Sequence, residues 1–377
     1  MSRRVLSIIG LLVLAMVVTA CGDQAPASEQ PAGSPGESAA ESVAPEETAA
    51  ATPAPAPAEG RLALVRERDE LICGVNGSLP GFSFLDENGD MTGFDADFCR
   101  ALAAAVLGDA EKVEFRALST DQRGPALQTG EVDVLIRNTT WTVSRDTSWG
   151  LFAPTTFYDG QAIMVNASVG AETLADLEGA TVCVQSGTTT ELNLADAFRE
   201  IGVDIETQVF ADLDPTYQAY EEGRCDAVTS DRSQLVARRT VFANPDDHVI
   251  LEEVLSKEPL GPVAPLGDDA WFNVVKWTVF ATIEAEELGI TSENVADQAT
   301  SENPVVQRFV GVTPDGADPF DSGLGLEPDW VVDVISQVGN YAEIYERNLG
   351  PGTPFDLERG LNALWTDGGL LYAPPYR

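Results

Sequence analysis

One short pattern occurs twice in this chain and constrains the fold more than any other feature. A helix-like segment leads into a glycine, then an aspartate three residues later, then an apolar run, first at residues 130–136 (GEVDVLI) and again at 223–231 (GRCDAVTSD). An apolar run of this length with polar flanks is typical of a buried parallel strand. The repeat therefore predicts two similar α/β units, in which ligands bind beyond the carboxyl ends of the strands.

The first copy runs directly into polar and aromatic side chains. Asn138, Thr140, Trp141 and Arg145 follow its strand within a few residues. A guanidinium is planar and permanently charged, and its fork of N–H donors suits a carboxylate. This pattern favours an anion site at Arg145, although the same residue could instead pair with Asp146 on a surface loop.

The second copy ends in an acid. Asp231 closes its strand and suits a cation, with a plain surface acid as the alternative among 61 acidic residues. In the same unit, residues 185–191 (QSGTTTE) place a glycine and three threonines at the start of a helix, where free N–H groups attract anions. Thr188 with Glu191 also fits a capping box, and both interpretations can hold together. An anion site in one unit and a cation site in the other fit a zwitterion such as an amino acid.

The amino terminus predicts export. Residues 1–20 contain two arginines, an apolar run and small residues before Cys21, which is the layout of a secretory signal. The sequence Val-Thr-Ala-Cys looks like a lipobox, so Cys21 becomes the acylated amino terminus after cleavage; the alternative is an uncleaved membrane anchor. Residues 21–60 are almost wholly Ala, Pro, Ser, Thr, Gly and Glu, which predicts a disordered tether.

Composition excludes several classes of partner. The chain has 61 acidic and 22 basic residues and a net charge of −39, which argues against nucleic acid and anionic membrane surfaces. Metal sites are not expected. The run at 86–90 (DENGD) lacks the spacing of a calcium loop. A zinc site is disfavoured because His248 is the sole histidine and no Cys-x-x-Cys occurs. No cofactor is expected either.

Four cysteines remain in the part of the chain that follows the tether. An even number in an exported protein suggests disulfides, and four cysteines allow three connectivities. The predicted strand and helix positions favour one bridge in each unit, Cys73–Cys99 and Cys183–Cys225. Four buried free thiols are the alternative.

Several elements can be placed in advance. Residues 157–165 and 255–266 predict strands that cross between the units, and residues 269–288 predict a long apolar helix of the first unit whose aromatic spacing fits core packing. Residues 330–348 predict one amphipathic helix. Asp95 is a plausible N-cap for the helix that carries Cys99.

Runs along nearly the whole of residues 61–377 resemble the solute-binding proteins of polar amino acid ABC importers, in particular their general L-amino-acid-binding branch. They include CGVNGSLPGFS, TGFDADFCRA, GEVDVLIRNTTWTVSRDTS, CVQSGTTTELN, GRCDAVTSD and GLNALWTDGGLLYAPPYR. The resemblance implies a type II periplasmic-binding-protein fold of class α/β: two lobes, each a mostly parallel sheet flanked by helices, with two crossover strands as hinge. The expected domains are a first part of lobe 1 at 61–162, lobe 2 at 163–257, a second part of lobe 1 at 258–345 and a carboxyl-terminal extension on lobe 1 at 346–377.

The same resemblance implies a role for each site residue. Arg145 grips the α-carboxylate of an L-amino acid, helped by the Thr140 hydroxyl, by Asn138, and by the N–H groups of Thr188 and Thr189. Asp231 accepts the α-ammonium. The ligand side chain is expected to face Asn76, Phe82, Arg137 and Trp141, which leaves room for polar or acidic amino acids.

The expected function is binding rather than catalysis, in a monomeric, membrane-anchored lipoprotein that faces the periplasm or the cell exterior and delivers ligand to ABC importer permease subunits. The tether and lipid anchor depart from many relatives, which are free in the periplasm. Two alternatives share the fold. One is an exported dehydratase acting on cyclohexadienyl acids, for which His248 lies away from the predicted site strands; the other is a ligand-sensing module, which is expected to carry a membrane or signalling segment after the binding unit.

Overall fold

The computed structural model describes residues 60–315, 317 and 321–377. The predicted signal peptide, Cys21 and nearly all of the predicted tether lie outside the described residues. The strands are β1 (Leu71–Val75), β2 (Ser78–Leu79), β3 (Ser83–Leu85), β4 (Met91–Thr92), β5 (Val113–Ala117), β6 (Val134–Leu135), β7 (Gly150–Phe152), β8 (Phe157–Asn166), β9 (Thr181–Gln185), β10 (Glu206–Phe210), β11 (Ala227–Asp231), β12 (His248–Ile250), β13 (Ser256–Leu260) and β14 (Val263–Pro265).

Helices flank these strands throughout the described ranges. The α-helices are α1 (Gly60–Arg68), α2 (Phe94–Leu107), α3 (Arg123–Thr129), α4 (Val143–Ser148), α5 (Thr189–Ile201), α6 (Leu213–Glu221), α7 (Arg232–Arg239), α8 (Asp269–Glu287), α9 (Pro304–Phe309), α10 (Trp330–Gln337) and α11 (Tyr341–Asn348). Short 3-10 helices occur at Ala167–Val169, Leu174–Leu177, Pro245–Asp247, Val295–Thr300, Gly360–Asn362 and Trp365–Asp367.

The strands form two mixed open sheets, one in each lobe. The sheet of the first lobe has the order β5-β1-β6-β14-β7, and that of the second has the order β10-β9-β11-β8-β12, with β13 also paired to β8. In both sheets the first three strands are parallel, and the returning strands β14 and β8 are antiparallel to them. A small antiparallel sheet of β2, β3 and β4 packs beside α2. The two α/β lobes expected from the repeated pattern are therefore present.

The aspartate of the repeated pattern has the same structural task in both lobes. In the first lobe, Asp133 and Ile72 exchange two bonds: the Ile72 N–H donates to Asp133 Oδ2 at 2.7 Å, and the Asp133 N–H donates to the Ile72 carbonyl at 2.8 Å. In the second lobe, Asp226 and Thr181 make the equivalent pair, with both distances at 2.8 Å. Each aspartate thus binds its strand to the start of the neighbouring parallel strand, which sets the register and aligns the carboxyl ends.

Two antiparallel strands connect the lobes. The first half of β8 pairs with β13, so that Phe157 lies opposite Leu260 and Gln161 lies opposite Ser256. This ladder is tied to the first lobe by the Trp141 N–H, which donates to the Pro259 carbonyl at 2.8 Å. Both crossover strands expected from the sequence are present, and they support each other as a two-stranded ribbon.

The long apolar helix α8 anchors the first lobe. Trp271 is fully buried, and its indole N–H donates to the Asp133 carbonyl at 2.8 Å, beneath the repeated turn. The carboxyl-terminal segment contacts the same helix: the Tyr376 hydroxyl donates to the Trp277 carbonyl at 3.1 Å, and Arg359 pairs with Glu286 at 3.1 Å. The apolar side of α8 therefore forms core packing, as its aromatic spacing predicts.

Two local predictions were wrong. Residues 330–348 form two helices, α10 and α11, because Gly339 adopts a left-handed φ of 101° and Asn340 caps a new helix by accepting the Glu343 N–H at 2.9 Å. Asp95 is not the N-cap of α2, since that position is Gly93. The carboxylate of Asp95 is buried and accepts the Asn138 N–H at 2.8 Å instead.

Each lobe contains one disulfide. Cys73 on β1 is bonded to Cys99 on α2, and Cys183 on β9 is bonded to Cys225, just before β11. Each bridge links a central strand of its own lobe to a neighbouring element. No helix within the described ranges is long and apolar enough to cross a membrane.

Removing a bridge should lower the free energy of unfolding. The bridges span 26 and 42 residues, and the chain-entropy treatment assigns about 3–4 kcal/mol to each. The paired substitution Cys183→Ala with Cys225→Ala should therefore shift denaturant unfolding by roughly that amount. Peptide mapping without reduction provides the control, and a peptide joining Cys73 to a cysteine of the second lobe would contradict the pairing.

Candidate ligand-binding site

A polar cavity lies between the lobes at the carboxyl ends of the parallel strands. Its volume is about 30 Å³. We call it the central cavity. Its walls come from both lobes: the segments that follow β5 and β6 in the first, and the ends of β9 and β11 with the segments that follow them in the second. The lining residues are Thr120, Arg123, Arg137, Asn138, Thr140, Arg145, Gln185, Thr188, Thr189, Thr190, Ser230, Asp231 and Gln234.

Arg145 is held in place from two directions. It belongs to the short helix α4, whose N-cap Thr142 accepts the Arg145 N–H at 3.3 Å. Its guanidinium donates to the Thr140 carbonyl at 3.0 Å and lies over the ring of Trp149, 5.0 Å from the centroid. Burial lowers the pKa of Arg145, while the charge of Asp231 opposes that shift. The group is therefore a fixed and largely desolvated cation that faces the cavity.

The second lobe faces Arg145 with the amino-terminal end of a helix. Helix α5 begins at Thr189, and its N-cap Thr188 accepts the Glu191 N–H at 3.0 Å. The first N–H groups of a helix have no intrahelical acceptor and attract anions. The Thr189 hydroxyl lies 3.3 Å from that of Thr140 in the first lobe. A carboxylate between Arg145 and this helix end would meet donors from both lobes.

Asp231 supplies the opposite charge. It is the last residue of β11 and is only 6% exposed. Burial raises the pKa of Asp231 well above its usual range, and the nearby carboxylates of Asp159 and Glu258 raise it further; Arg145 and Arg123 oppose them. A buried carboxylate in this position is stabilised by a cation in the cavity.

The two other carboxylates belong to the connecting ribbon. Asp159 on β8 and Glu258 on β13 lie directly opposite each other in the ladder. Burial raises the pKa of Asp159 to about 6, against hydrogen bonds from Ser233 and Gly160. Glu258 is fully buried and accepts the Thr189 hydroxyl at 2.7 Å. The ribbon thus places two acids behind Asp231, next to the start of α5.

Seven of the predicted site residues line the central cavity. They are Arg137, Asn138, Thr140, Arg145, Thr188, Thr189 and Asp231. Asn76 lies in an adjoining space, where its amide donates to Asn138 Oδ1 at 3.2 Å. That space, which we call the second chamber, measures about 410 Å³ and is lined by Asn76, Ser78, Ala117, Leu118, Ser119, Arg137, Gln185, Asp212, Leu213, Asp214 and Pro215.

The two predicted aromatic residues lie elsewhere. Phe82 is fully buried in the core of the first lobe, where its ring packs against Phe157 at 5.4 Å. Trp141 is 41% exposed and stacks on Phe152, on the outer side of the connecting ribbon. Neither side chain lines the central cavity or the second chamber, which corrects the prediction that both face the ligand. A buried aromatic beside a strand end looks the same in sequence whether it faces the core or the cleft.

Sequence reasoning missed several lining residues, of which Arg123 is the most consequential. It opens helix α3 and is almost fully buried, with its Nε donating to the Thr120 carbonyl at 3.0 Å. Its terminal nitrogen donates across the cleft to the Gly187 carbonyl at 3.2 Å, beside a longer bond from Arg145 at 3.4 Å. No local pattern distinguishes Arg123 from a surface arginine. Ser230, next to Asp231, and Thr190, inside the threonine run, could have been found by proximity.

The lobes also contact each other on the other side of the cavity. The Asn138 amide donates to the Gln234 side chain of α7 at 3.0 Å. Arg238 of the same helix donates to the Ser78 carbonyl at 3.4 Å and pairs with Asp214 at 2.8 Å. His248, by contrast, begins β12 and lies 2.8 Å from the Tyr220 hydroxyl, outside the cavity.

Comparison with known proteins agrees with this geometry. Residues 71–351 match the family described as bacterial extracellular solute-binding proteins, family 3. The chain is 50% identical over 314 residues to the general L-amino acid-binding periplasmic protein AapJ of Rhizobium johnstonii, a match that covers 83% of this chain and 92% of that protein. It is 47% identical over 315 residues to the glutamate/glutamine/aspartate/asparagine-binding protein BztA of Rhodobacter capsulatus, covering 83% and 92%.

A solved structure is similar over the same range. It is an ABC transporter periplasmic binding protein from Brucella ovis with glutathione bound, 50% identical in sequence, with a TM-score of 0.81 over 84% of this chain and 99% of that one. Its fold is that of a type II periplasmic binding protein, in agreement with the two lobes described above. The chain belongs to family 3 of the bacterial extracellular solute-binding proteins.

Proposed function

We propose that this protein captures free L-amino acids between its lobes and delivers them to the membrane subunits of an ABC importer. The observation that carries the proposal is the placement of Arg145 and Asp231, one from each lobe, on the same buried cavity. The α-carboxylate would lie between Arg145 and the start of α5, and the α-ammonium would lie against Asp231. The names of similar proteins, which include amino acid-binding proteins of Rhizobium johnstonii and Rhodobacter capsulatus, support the same ligand class.

The mechanism follows from the need to satisfy both charges at once. Arg145 in one lobe and Asp231 in the other are the two charged half-sites. A ligand that touches only one lobe leaves the charge of the other half-site unpaired, whereas a ligand that bridges the lobes pairs both charges and stabilises the arrangement in which the lobes meet. The ribbon of β8 and β13 is the place where the lobes can pivot. We propose the lobe boundaries expected from the sequence, at 162/163 and 257/258: the second lies within the paired part of β13, and the first lies in β8 just after Gln161, the last residue that pairs with β13. A membrane partner that recognises the paired lobes would then discriminate loaded from empty protein.

Binding without catalysis accounts for the chemistry of the cavity. Its ionisable groups are arginines and Asp231, and they form a charge-complementary site for a zwitterion. His248 does not line the cavity: it begins β12, and its Nδ1 lies 2.8 Å from the Tyr220 hydroxyl of α6. We therefore infer a binding protein. We further propose that it acts as a monomer and, because a lipobox-like run precedes Cys21, that it carries a lipid there and stays attached to the membrane outside the cytoplasm.

The second chamber supports one further ligand. It adjoins the central cavity at Arg137 and Gln185, which line both spaces. A ligand with an amino acid head and a longer tail, such as a γ-glutamyl peptide, could extend into it. The similar Brucella ovis structure, which holds glutathione, favours this second candidate.

Free L-amino acids should stabilise the protein, and both charged half-sites should be required. Ligand at a hundredfold above Kd contributes about 2.7 kcal/mol to stability, which is readily seen as a shift in Tm. Arg145→Ala and Asp231→Ala should each cost about 2–5 kcal/mol of binding, because each leaves a ligand charge desolvated and unpaired. Calorimetric titration with the common amino acids measures both effects.

The matched controls for these variants are Arg199→Ala and Asp196→Ala. These two residues form an exposed ion pair on α5, away from the cavity. The controls should bind like wild type. The proposed site is wrong if no amino acid binds, or if Arg145→Ala and Asp231→Ala bind as well as the controls.

Affinity should fall as the pH is lowered. The raised pKa of Asp231 means that its carboxylate is protonated at a higher pH than an ordinary aspartate, and protonation removes the partner of the ammonium. Below that pKa, Kd should rise by about tenfold per pH unit, the limit for one linked proton. Titrations from about pH 8 to about pH 5 test this, and a flat profile would contradict it.

The free energy of unfolding of the ligand-free protein should rise as the pH is lowered, whereas the affinity for ligand should fall. Burial raises the pKa values of Asp95 and Asp159 to about 6, so the stability associated with their protonated forms is present at low pH and is lost as the pH rises through that value. Because the affinity for ligand should rise with pH, the shift in Tm caused by a fixed ligand concentration should grow with pH. Asp231→Asn removes the titrating group but keeps its shape, and it should flatten the pH dependence of binding; the exposed Asp196→Asn should not.

Cys21→Ser should release the protein from membranes or leave it unprocessed. The reason is that a lipobox cysteine is the site of both acylation and cleavage, and serine cannot form the thioether. Membrane fractionation and intact mass measure the outcome, with Ser28→Ala as a control in the same segment. A mature amino terminus at another residue, without acyl chains, would end this proposal.

A further inference from the structure

Arg137 differs from the two other arginines of the central cavity. Arg123 and Arg145 each use a terminal nitrogen to bind a backbone carbonyl across the cleft. Arg137 uses only its Nε, which donates to the Leu118 carbonyl at 3.1 Å. Among the described residues, its two terminal nitrogens have no hydrogen-bond acceptor and no carboxylate within ion-pair distance. The side chain is only 5% exposed.

An unpaired guanidinium is costly in such a place. Burial lowers the pKa of Arg137 to about 10, and Asp95 counters this only in part from beyond ion-pair distance. The Asp95 carboxylate is instead directed at the Asn138 N–H. A buried charge of this kind is normally paired or neutralised. Two free N–H groups in a fixed fork match the two oxygens of a carboxylate.

Its position identifies which end of a ligand it would meet. Arg145 also borders a separate pocket beside the start of α5, which Thr188 and Thr189 line as well. Arg137 does not line that pocket and borders the second chamber, which Arg145 does not line. An amino acid whose α-carboxylate lies at Arg145 would therefore extend its side chain toward Arg137.

The charges that line the cavity agree with this direction. Three arginines and one aspartate line the central cavity. Burial lowers the pKa of Arg123, and the charges of Arg137 and Arg145 lower it further. The carboxylates of Asp95, Asp159 and Glu258, which lie behind the lining, offset part of this excess. A simple zwitterion adds one charge of each sign and leaves the remainder in place, whereas a second carboxylate on the ligand reduces it.

We propose that Arg137 binds an oxygen-bearing group at the far end of the ligand side chain, so that the site ranks carboxylates first, carboxamides second and apolar side chains last. This proposal rests on the proposed function, since it assumes an amino acid held by Arg145 and Asp231. It identifies the substrate class as amino acids with an acidic side chain, or with its amide. The second chamber then gives room for substituents beyond that group.

The test begins with wild-type protein and ligands of matched shape. Aspartate, asparagine and leucine share one heavy-atom skeleton and differ only in the two atoms that would meet Arg137. Calorimetry should show aspartate binding at least about tenfold more tightly than leucine, with asparagine between them, as expected for a charge-assisted pair. Glutamate and glutamine extend the series by one methylene.

Arg137→Met then removes the fork and keeps the length of the stem. In this variant, aspartate should bind no more than about threefold more tightly than leucine. The Kd for leucine should change by less than about threefold. Arg199→Met on the exposed face of α5 serves as the matched control and should preserve the wild-type ratio. Arg137→Lys should recover only part of the preference, because a point charge lacks the fork.

The possible failures can be told apart. If wild type binds no amino acid, the proposed function itself fails. If wild type binds leucine as tightly as aspartate, or if Arg137→Met weakens all ligands equally, only the role of Arg137 fails. The ranking by wild type requires no substitution, so it decides the matter even if Arg137→Met does not fold.

Discussion

The rest of the site depends on a pair of opposite charges that are buried on facing lobes. Arg145 and Asp231 are both almost fully buried, and each has lost most of its hydration. Charges removed from water are stable only when they are paired and hydrogen-bonded. Because the two groups belong to different lobes, their pairing depends on how the lobes meet and on what lies between them. A zwitterion between the lobes satisfies both groups at once, and this couples binding to the relative position of the lobes.

The repeated turn explains how two separate lobes can present matching half-sites. Asp133 and Asp226 each bind the start of a neighbouring strand through the same reciprocal pair of hydrogen bonds. The register of parallel strands is thereby set in both sheets, and their carboxyl ends emerge at comparable levels. The polar residues that follow these strands then reach one common space. Structural and functional residues of the pattern are thus distinct: the aspartates of the turns hold the strands, and the residues beyond the strands contact the cavity.

The charge of the molecule and the charge of its cavity have opposite signs. The chain carries a net charge of −39, whereas three arginines and one aspartate line the central cavity. At physiological ionic strength, charges beyond about 8 Å are largely screened, so the cavity residues govern capture at short range. The acids of the ribbon, Asp159 and Glu258, moderate this local excess of positive charge and connect the hinge to the site. The proposed ligand, with an additional carboxylate, would reduce the positive charge that remains.

Local sequence determined the two α/β units, the strand ends that lead to Arg145 and Asp231, the cysteine pairs and the extent of α8. These features could be predicted because strand length, turn residues and apolar periodicity act over a few residues. Only tertiary structure decided which side chains share the cavity. Arg123 binds the Gly187 carbonyl across the cleft, and Phe82 and Trp141 are turned into the core and the outer surface. The break at Gly339 has local causes, a left-handed glycine and the Asn340 cap of α11. The placement of the cavity side chains depends instead on contacts between segments far apart in the chain, and the local patterns do not encode which way a side chain faces.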